Sequence, residues 1–287
     1  MNPTIALLTD FGTEDIYVGV MKGVMREICP QATFIDITHQ INPQNVRQAA
    51  FALKNALPYF PPQTVFLVVV DPGVGTRRRP IAARFGNYSF VAPDNGVLSY
   101  AFSADDEVQF AELDRPDFWI SNVSQTFHGR DIFAPVAAHL ASGKSLDVVG
   151  TSLQQVFELP QPALDIDNRY IYGEVVHIDR FGNIITSIGR LRWSGGARVT
   201  LMPAFGNLDH TISILSEDAQ LQLSGETIST IKTTYSDAMR GDLLMLVGSS
   251  GYLEIAMNQG NAAERLDVVI GDRIEVQLGD AHAAIHN

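Results

Sequence analysis

The sequence predicts an α/β protein of two domains. An N-terminal three-layer α/β domain with a largely parallel sheet occupies residues 1–160, and a smaller all-β domain, barrel or sandwich, occupies 166–287. Three observations predict this. Phe66-Leu67-Val68-Val69-Val70 is apolar on both faces, as a strand buried within a parallel sheet must be, and it runs straight into Asp71-Pro72-Gly73. Strand and helix patterns alternate as far as about residue 150, which implies a sheet covered by helices. Beyond Leu159-Pro160-Gln161-Pro162-Ala163, which reads as a linker, the chain becomes strand-rich with Gly and Asp turns.

The elements follow in order. A strand over 5–8 leads into Thr9-Asp10-Phe11-Gly12-Thr13-Glu14-Asp15. Residues 17–28 carry apolar side chains at helical spacing and stop before Pro30. A strand over 33–37 ends in Thr38-His39, and a helix over 45–57 opens after Asn42-Pro43 and closes at Pro58. The run ending at Val70 and a strand over 88–92 lead into Asp71-Pro72-Gly73-Val74-Gly75-Thr76 and Pro93-Asp94-Asn95-Gly96. A third helix starts near Asp131 and ends at Gly143, a common stop signal. In the second domain, strands are expected over 170–178, 198–202, 211–215, 243–247 and 273–278. Gly248 to Ala256, followed by Asn258 to Asn261, reads as a small-residue loop leading into a short helix.

Bulk properties narrow the function. A chain of 287 residues is long enough for a substantial core and two domains. The net charge of -12 argues against a nucleic-acid partner, and Arg77-Arg78-Arg79, the one basic run, is too short for a nucleic-acid tail. The single cysteine, Cys29, allows no internal disulfide or cysteine metal site and is expected to be a buried structural thiol. The first residues lack a basic segment with an apolar core, and no apolar run approaches the roughly 20 residues of a membrane span. A soluble cytoplasmic protein is expected.

Several strand ends carry Asp, Asn or Thr, and a parallel sheet would bring them along one edge, where ligands bind in such folds. Asp71 and an arginine seven residues later place opposite charges on one loop. Taken alone, that loop fits equally a structural turn whose Asp caps backbone N–H groups. Among the seven histidines, His128 in Thr126-Phe127-His128-Gly129-Arg130-Asp131 has the most polar company, suiting a general base or a hydrogen-bond donor. The bland reading is a histidine that packs its loop. His139 falls on an apolar helix face and belongs to the core. Asp179-Arg180-Phe181-Gly182-Asn183 suits a nucleobase, an amino acid or merely a turn. Neither a phosphate loop nor a Gly-x-Gly-x-x-Gly after the first strand is present, so no phosphate-bearing cofactor is indicated.

Taken in order, Thr9 to Asp15 with Tyr17-Val18-Gly19, the Asp71 loop, Pro93-Asp94-Asn95-Gly96, Phe127 to Asp131, Asp179 to Asn183 and Ser249-Ser250-Gly251-Tyr252-Leu253 resemble the S-adenosylmethionine hydroxide adenosyltransferase family. That family is related to fluorinating and chlorinating enzymes acting on the same substrate. The resemblance spans nearly the whole chain. It implies a C-terminal β-barrel, a homotrimer with active sites between subunits, and attack of water or hydroxide on C5′ of S-adenosylmethionine to give adenosine and L-methionine. It implies neither metal nor cofactor. The family's catalytic set falls on Asp71, Arg78 and His128, with Arg78 at the family's spacing from Asp71. Asp10 matches the carboxylate holding the ribose hydroxyls, Asp179 and Asn183 match contacts to the methionine portion, and Ser249 lies in the stretch contributed by a neighbouring subunit. Val74 and Gly129 are expected to touch substrate.

Two departures from the halide-using relatives favour water. The complete Asp-Arg-His set is present, and the segment 84–88 is short where those relatives carry an additional loop. Gln44 stands where they place an aromatic ring, and Ser250 where they have Arg. The competing readings are a non-catalytic S-adenosylmethionine or adenosine sensor, a halide-using transferase, and a metal-dependent phosphoesterase built on Asp10, Asp15, Asp94, Asn95 and His128.

Overall fold

The computed structural model describes residues 2–103, 106–167, 169–206 and 211–279, together with the backbone of 285–286. The chain forms two compact units, Met1–Leu159 and Pro160–Asn287.

In the first unit the strands are β1 (Thr4–Thr9), β2 (Thr33–Thr38), β3 (Val65–Val69), β4 (Pro80–Phe85), β5 (Tyr88–Pro93), β6 (Val108–Glu112) and β7 (Thr151–Leu153). The helices are α1 (Tyr17–Ile28), α2 (Val46–Ala56), α3 (Ala134–Ala141) and α4 (Leu146–Val149). One sheet runs β2-β1-β3-β5-β4-β6-β7. Its first four strands are mutually parallel, whereas β4, β6 and β7 join through antiparallel pairings. The parallel character therefore resides in the half that carries the strand ends of interest. The antiparallel half arises because Gly86 and Asn87 leave room for only a tight hairpin between β4 and β5.

Alternation along each strand divides the core in two. Ile5, Leu7, Val65, Leu67 and Val69 pack on one face with Met21 and Met25 of α1, Val136 and Leu140 of α3, and Val149 of α4. Ala6, Leu8, Phe66, Val68 and Val70 face the other way, against Ala49 and Leu53 of α2. The two-face apolar run thus has a direct cause: side chains of period two feed two separate helical layers. Cys29 is buried in the first of these layers, where desolvation raises its thiol pKa. His139 sits edge-on to Phe118 at 5.0 Å.

The second unit contains β8 (Leu164–Asp167), β9 (Tyr170–Ile178), β10 (Ile184–Gly189), β11 (Leu191–Gly195), β12 (Arg198–Leu201), β13 (Thr211–Leu215), β14 (Gln220–Leu223), β15 (Glu226–Ser229), β16 (Ile231–Lys232), β17 (Leu243–Val247), β18 (Tyr252–Met257), α5 (Ala262–Leu266), β19 (Arg273–Gln277) and β20 (Ile285–His286). The larger sheet runs β15-β14-β19-β9-β10-β18-β17-β16, with β8 also on β9. β15 and β16 stand at opposite ends of that order, yet Thr230 alone separates them in sequence. The sheet therefore curls back on itself as a nearly closed barrel. A smaller sheet runs β11-β12-β13-β20.

Part of the expected loop over 248–256 is a strand instead, while a short helix, α5, does follow Asn261. Tyr252–Met257 is strand β18, paired antiparallel with β17, and Gly251 N–H closes the hairpin turn on the Gly248 carbonyl at 2.8 Å. Five consecutive residues of β18, Tyr252 to Ala256, are buried between β10 and β17, a position that rewards apolar side chains on both faces. The third helix also departs from expectation. Gly129–Phe133 forms a π-helical turn that passes into α3 at Ala134, a geometry often found at functional sites.

Phe66 shows how tightly the second layer is packed. It is fully buried, stacks on Phe90 at 5.2 Å and meets Phe60 and Tyr88 edge-on. Phe66→Ala is expected to destabilise the protein by about 3–5 kcal/mol, read by chemical denaturation.

Candidate active site

In the first unit β1 lies between β2 and β3, so the chain leaves it on one side and returns on the other. The crevice beyond the carboxyl ends of such strands is where open α/β sheets bind ligands. Asp10 follows β1 directly, and Asp71 lies two residues beyond the end of β3.

Arg78 organises the site. Its Nε donates to Asp71 Oδ1 at 2.9 Å and Oδ2 at 3.1 Å, and its Nη2 also pairs with Asp71 Oδ2. The same Nη2 lies 2.9 Å from His128 Nδ1. The Arg78 and Asp71 side chains are only 9% and 6% exposed, so this is a nearly buried ion pair. The Phe133 ring lies 5.0 Å from the guanidinium and adds cation–π support. Of the three consecutive arginines only Arg78 takes this place. Arg79 turns to Asp94 Oδ2 at 2.8 Å and the Gln155 carbonyl at 3.0 Å, while Arg77 is exposed. Gly75 lets the two loops meet: a Cβ there would lie 2.4 Å from the Gln125 carbonyl oxygen, and its φ of +75° also favours glycine.

The contact with Arg78 fixes the state of His128. A guanidinium only donates, so Nδ1 accepts and the ring proton resides on Nε2. The Ser124 backbone carbonyl accepts a hydrogen bond from the ring. Ser124 is itself held by buried Asp131, whose Oδ2 accepts the Ser124 N–H at 2.7 Å and whose Oδ1 pairs with Arg130. Burial first, and then the Arg78 charge, hold the His128 pKa below the ordinary imidazole value, against the opposing pull of Asp71 and Asp131. His128 is thus a neutral ring with both nitrogens engaged.

Asp71 and His128 line a cavity of 140 Å³ together with Val69, Val74, Thr126, Gly129 and three aromatic rings. Phe11, Tyr17 and Phe127 pack on one another at 5.0 to 5.8 Å. The cavity has room for several water molecules. The structure thus brings Asp71, Val74, Arg78, His128 and Gly129 together in one unit. Asp10 stands at the adjacent strand end, where its Oδ2 accepts the Gln44 N–H at 2.8 Å.

Asp179, Asn183 and Ser249 belong to the second unit. Asp179 Oδ1 accepts the N–H groups of Phe181 and Asn183 at 2.8 and 2.9 Å, and its Oδ2 accepts Asn183 Nδ2 at 2.9 Å. The loop between β9 and β10 is therefore self-supporting. Ser249 is exposed in the β17–β18 turn. Sequence reasoning passed over Glu254, a nearly buried carboxylate that accepts the Tyr235 hydroxyl at 2.6 Å. Burial raises its pKa, and the Asp179 charge adds to that effect. A charged residue inside the apolar run Tyr252-Leu253-Glu254-Ile255-Ala256 was the available signal.

A profile of the SAM hydroxide adenosyltransferase N-terminal domain matches residues 5–150, and one of the C-terminal domain matches residues 173–275. The chain belongs to the SAM hydroxide adenosyltransferase family. Among curated proteins, the (R)-S-adenosyl-L-methionine hydrolase of Salinispora arenicola is 37% identical over 280 residues, covering 96% of this chain and 98% of its own. The enzyme of that name from Thermus thermophilus is 35% identical, covering 93% and 96%. A fluorinase from Actinopolyspora mzabensis is 30% identical over 306 residues, covering 96% and 97%. That span exceeds the 287 residues of this chain, so the fluorinase carries insertions that this family member lacks. The crystal structure of an uncharacterised conserved protein from Thermotoga maritima superimposes with a TM-score of 0.81 at 37% identity, covering 95% of this chain and 99% of that one. Among the described residues no cluster of three or more His, Cys, Asp or Glu forms a metal site. None of the described helices is long and apolar enough to cross a membrane.

The neutral state of His128 sets a pH dependence. Protonation would put a second cation against Arg78 and remove the Nδ1 acceptor. A depressed folded pKa means that stability and site geometry hold above about 6.5 and decline as pH falls through the lowered value. The acid limb of kcat/KM is expected below pH 6.5, and His128→Asn should abolish it; a limb centred at or above 6.5 would contradict the assignment.

Proposed function

We propose that this chain hydrolyses S-adenosyl-L-methionine to adenosine and L-methionine through attack of water or hydroxide at C5′. The observation carrying this reading is the contact of Arg78 with both Asp71 and His128, two residues that line a cavity with room for water, in a chain similar over nearly its whole length to named S-adenosylmethionine hydrolases. A sulfonium is already an excellent leaving group, so the reaction needs no acid to expel methionine. It needs an aligned oxygen nucleophile and somewhere for its proton to go. The O–C5′ bond forms as the C5′–S bond breaks, sulfur keeps the electron pair, and the water proton passes to Asp71 and on to solvent. Arg78 fixes the Asp71 carboxylate and compensates its charge in a nearly dry setting. His128, held by Ser124 and Asp131, fixes Arg78 and lines the nucleophile's cavity.

The remaining assignments carry over from the family resemblance. Asp10 holds the ribose hydroxyls, Asp179 and Asn183 hold the methionine portion, Ser249 contributes from a neighbouring subunit, and Val74 and Gly129 border the reacting centre. The same reading includes a cytoplasmic homotrimer that uses neither metal nor cofactor. The shorter chain, relative to the fluorinase, favours water over halide. In the relatives' name the amino acid is already specified as L, so the (R) descriptor designates the sulfonium centre, and both sulfonium epimers belong in the assay.

Incubation with each epimer, followed by chromatography, is expected to give equal amounts of adenosine and methionine, unaffected by chelator or by added chloride and fluoride. Asp71→Asn should lower kcat by about 10²–10⁴ with KM within a few-fold. Binding without turnover in the unaltered protein would favour the sensor reading, chelator sensitivity the metal-dependent one, and a halogenated nucleoside product the halide one.

A further inference from the structure

We infer that His39 is a positioning residue for the ribose-binding end of the site, acting through a buried relay that holds the Asp10 loop. This rests on the proposed role of Asp10. His39 is 5% exposed and Thr9 fully buried, so neither reaches a ligand itself. His39 Nδ1 lies 2.8 Å from Thr9 Oγ1, and Thr9 Oγ1 accepts the Phe11 N–H at 3.3 Å. On the far side, His39 Nε2 lies 3.1 Å from Asp36 Oδ1, a close contact whose alignment falls short of a directed hydrogen bond. Asp36 Oδ2 accepts Lys22 Nζ from α1 at 2.7 Å. With the ring proton on Nε2, the Thr9 hydroxyl donates to Nδ1 while accepting from Phe11, and the Nε2–H edge faces Asp36.

The relay grips the Asp10 loop from both sides. Gly12 N–H donates to the His39 carbonyl at 2.8 Å, with Gly12 at φ +68°. Gln44, five residues beyond His39, adopts φ +66° and points its N–H at Asp10 Oδ2. A left-handed non-glycine residue needs a surrounding structure that holds it there. Phe11, between these anchors, presents its ring to the 140 Å³ cavity. Asp10 and Phe11 therefore take their positions from groups behind them. None of this network touches Asp71, Arg78 or His128 through a hydrogen bond described for it.

The relay thus acts chiefly on binding and ribose discrimination, through the Asp10 loop. The test compares unaltered protein, Thr9→Val, Thr9→Ser, His39→Gln and Asp36→Asn, using S-adenosylmethionine and its 2′-deoxy analogue. Thr9→Val removes only the hydroxyl at constant shape, and Asp36→Asn alters the half-exposed end, where folding is secure. Expected are a KM about tenfold higher for Thr9→Val and His39→Gln, about threefold higher for Asp36→Asn, and near-normal for Thr9→Ser, with kcat within about twofold throughout. The preference of the unaltered enzyme for the ribose 2′-hydroxyl should shrink several-fold in the impaired variants. Unchanged KM, a fall in kcat at constant KM, or undiminished ribose preference would overturn the inference. Failure of the unaltered protein to bind or turn over S-adenosylmethionine would instead sink the hydrolase reading.

Discussion

A guanidinium held on two of its edges governs the N-terminal unit. Arg78 spends its Nε and one face of Nη2 on Asp71, and the rest of Nη2 on His128. An ion pair this secluded is costly to desolvate and is sustained only by good geometry with additional hydrogen bonds. The surrounding architecture supplies them. The buried strand β3 delivers Asp71 to the sheet edge, the glycine-rich turn returns the chain seven residues later, and the π-helical turn sets His128 opposite. Removing any one partner would leave a charge or a lone pair stranded among Phe133, Val69 and the aromatic trio.

The same arrangement divides labour between neighbouring titratable groups. Asp71 accepts from Arg78 through both carboxylate oxygens. His128 has a cation on one side and a carbonyl on the other, which favours its neutral form and holds its ring in one orientation. For a reaction whose leaving group departs as a neutral thioether, rigidity matters more than proton shuttling, because alignment of the attacking oxygen with the C5′–S axis is the demanding requirement.

Much of this was legible in the sequence. The two-face run ending in Val70, the polar strand ends and the ordered short motifs pointed to the sheet edge and to Asp71, Arg78 and His128. Those signals are local, and local signals survive in sequence. What stayed hidden depends on partners far along the chain. That Arg79 turns to Asp94 and leaves Arg78 to Asp71 follows from a contact spanning 15 residues. The Thr9–His39 contact spans 30. The loop expected over 248–256 gave way to strand β18 because propensity and small residues cannot reveal that two flanking strands are waiting to pair. The antiparallel half of the first sheet was equally unmarked, since a hairpin and a crossover begin with the same apolar strand.

The covalent step from β15 to β16 through Thr230 bears on how the protein behaves in a crowded solution. An open eight-strand path would present two rows of unpaired N–H and C=O groups, each a template for another chain. Here the ends of the path are brought round to one another, and the terminal strand β16 is only two residues long. Foreign strands find little to extend along this path, so the larger sheet of the second unit guards its ends by topology rather than by surface charge.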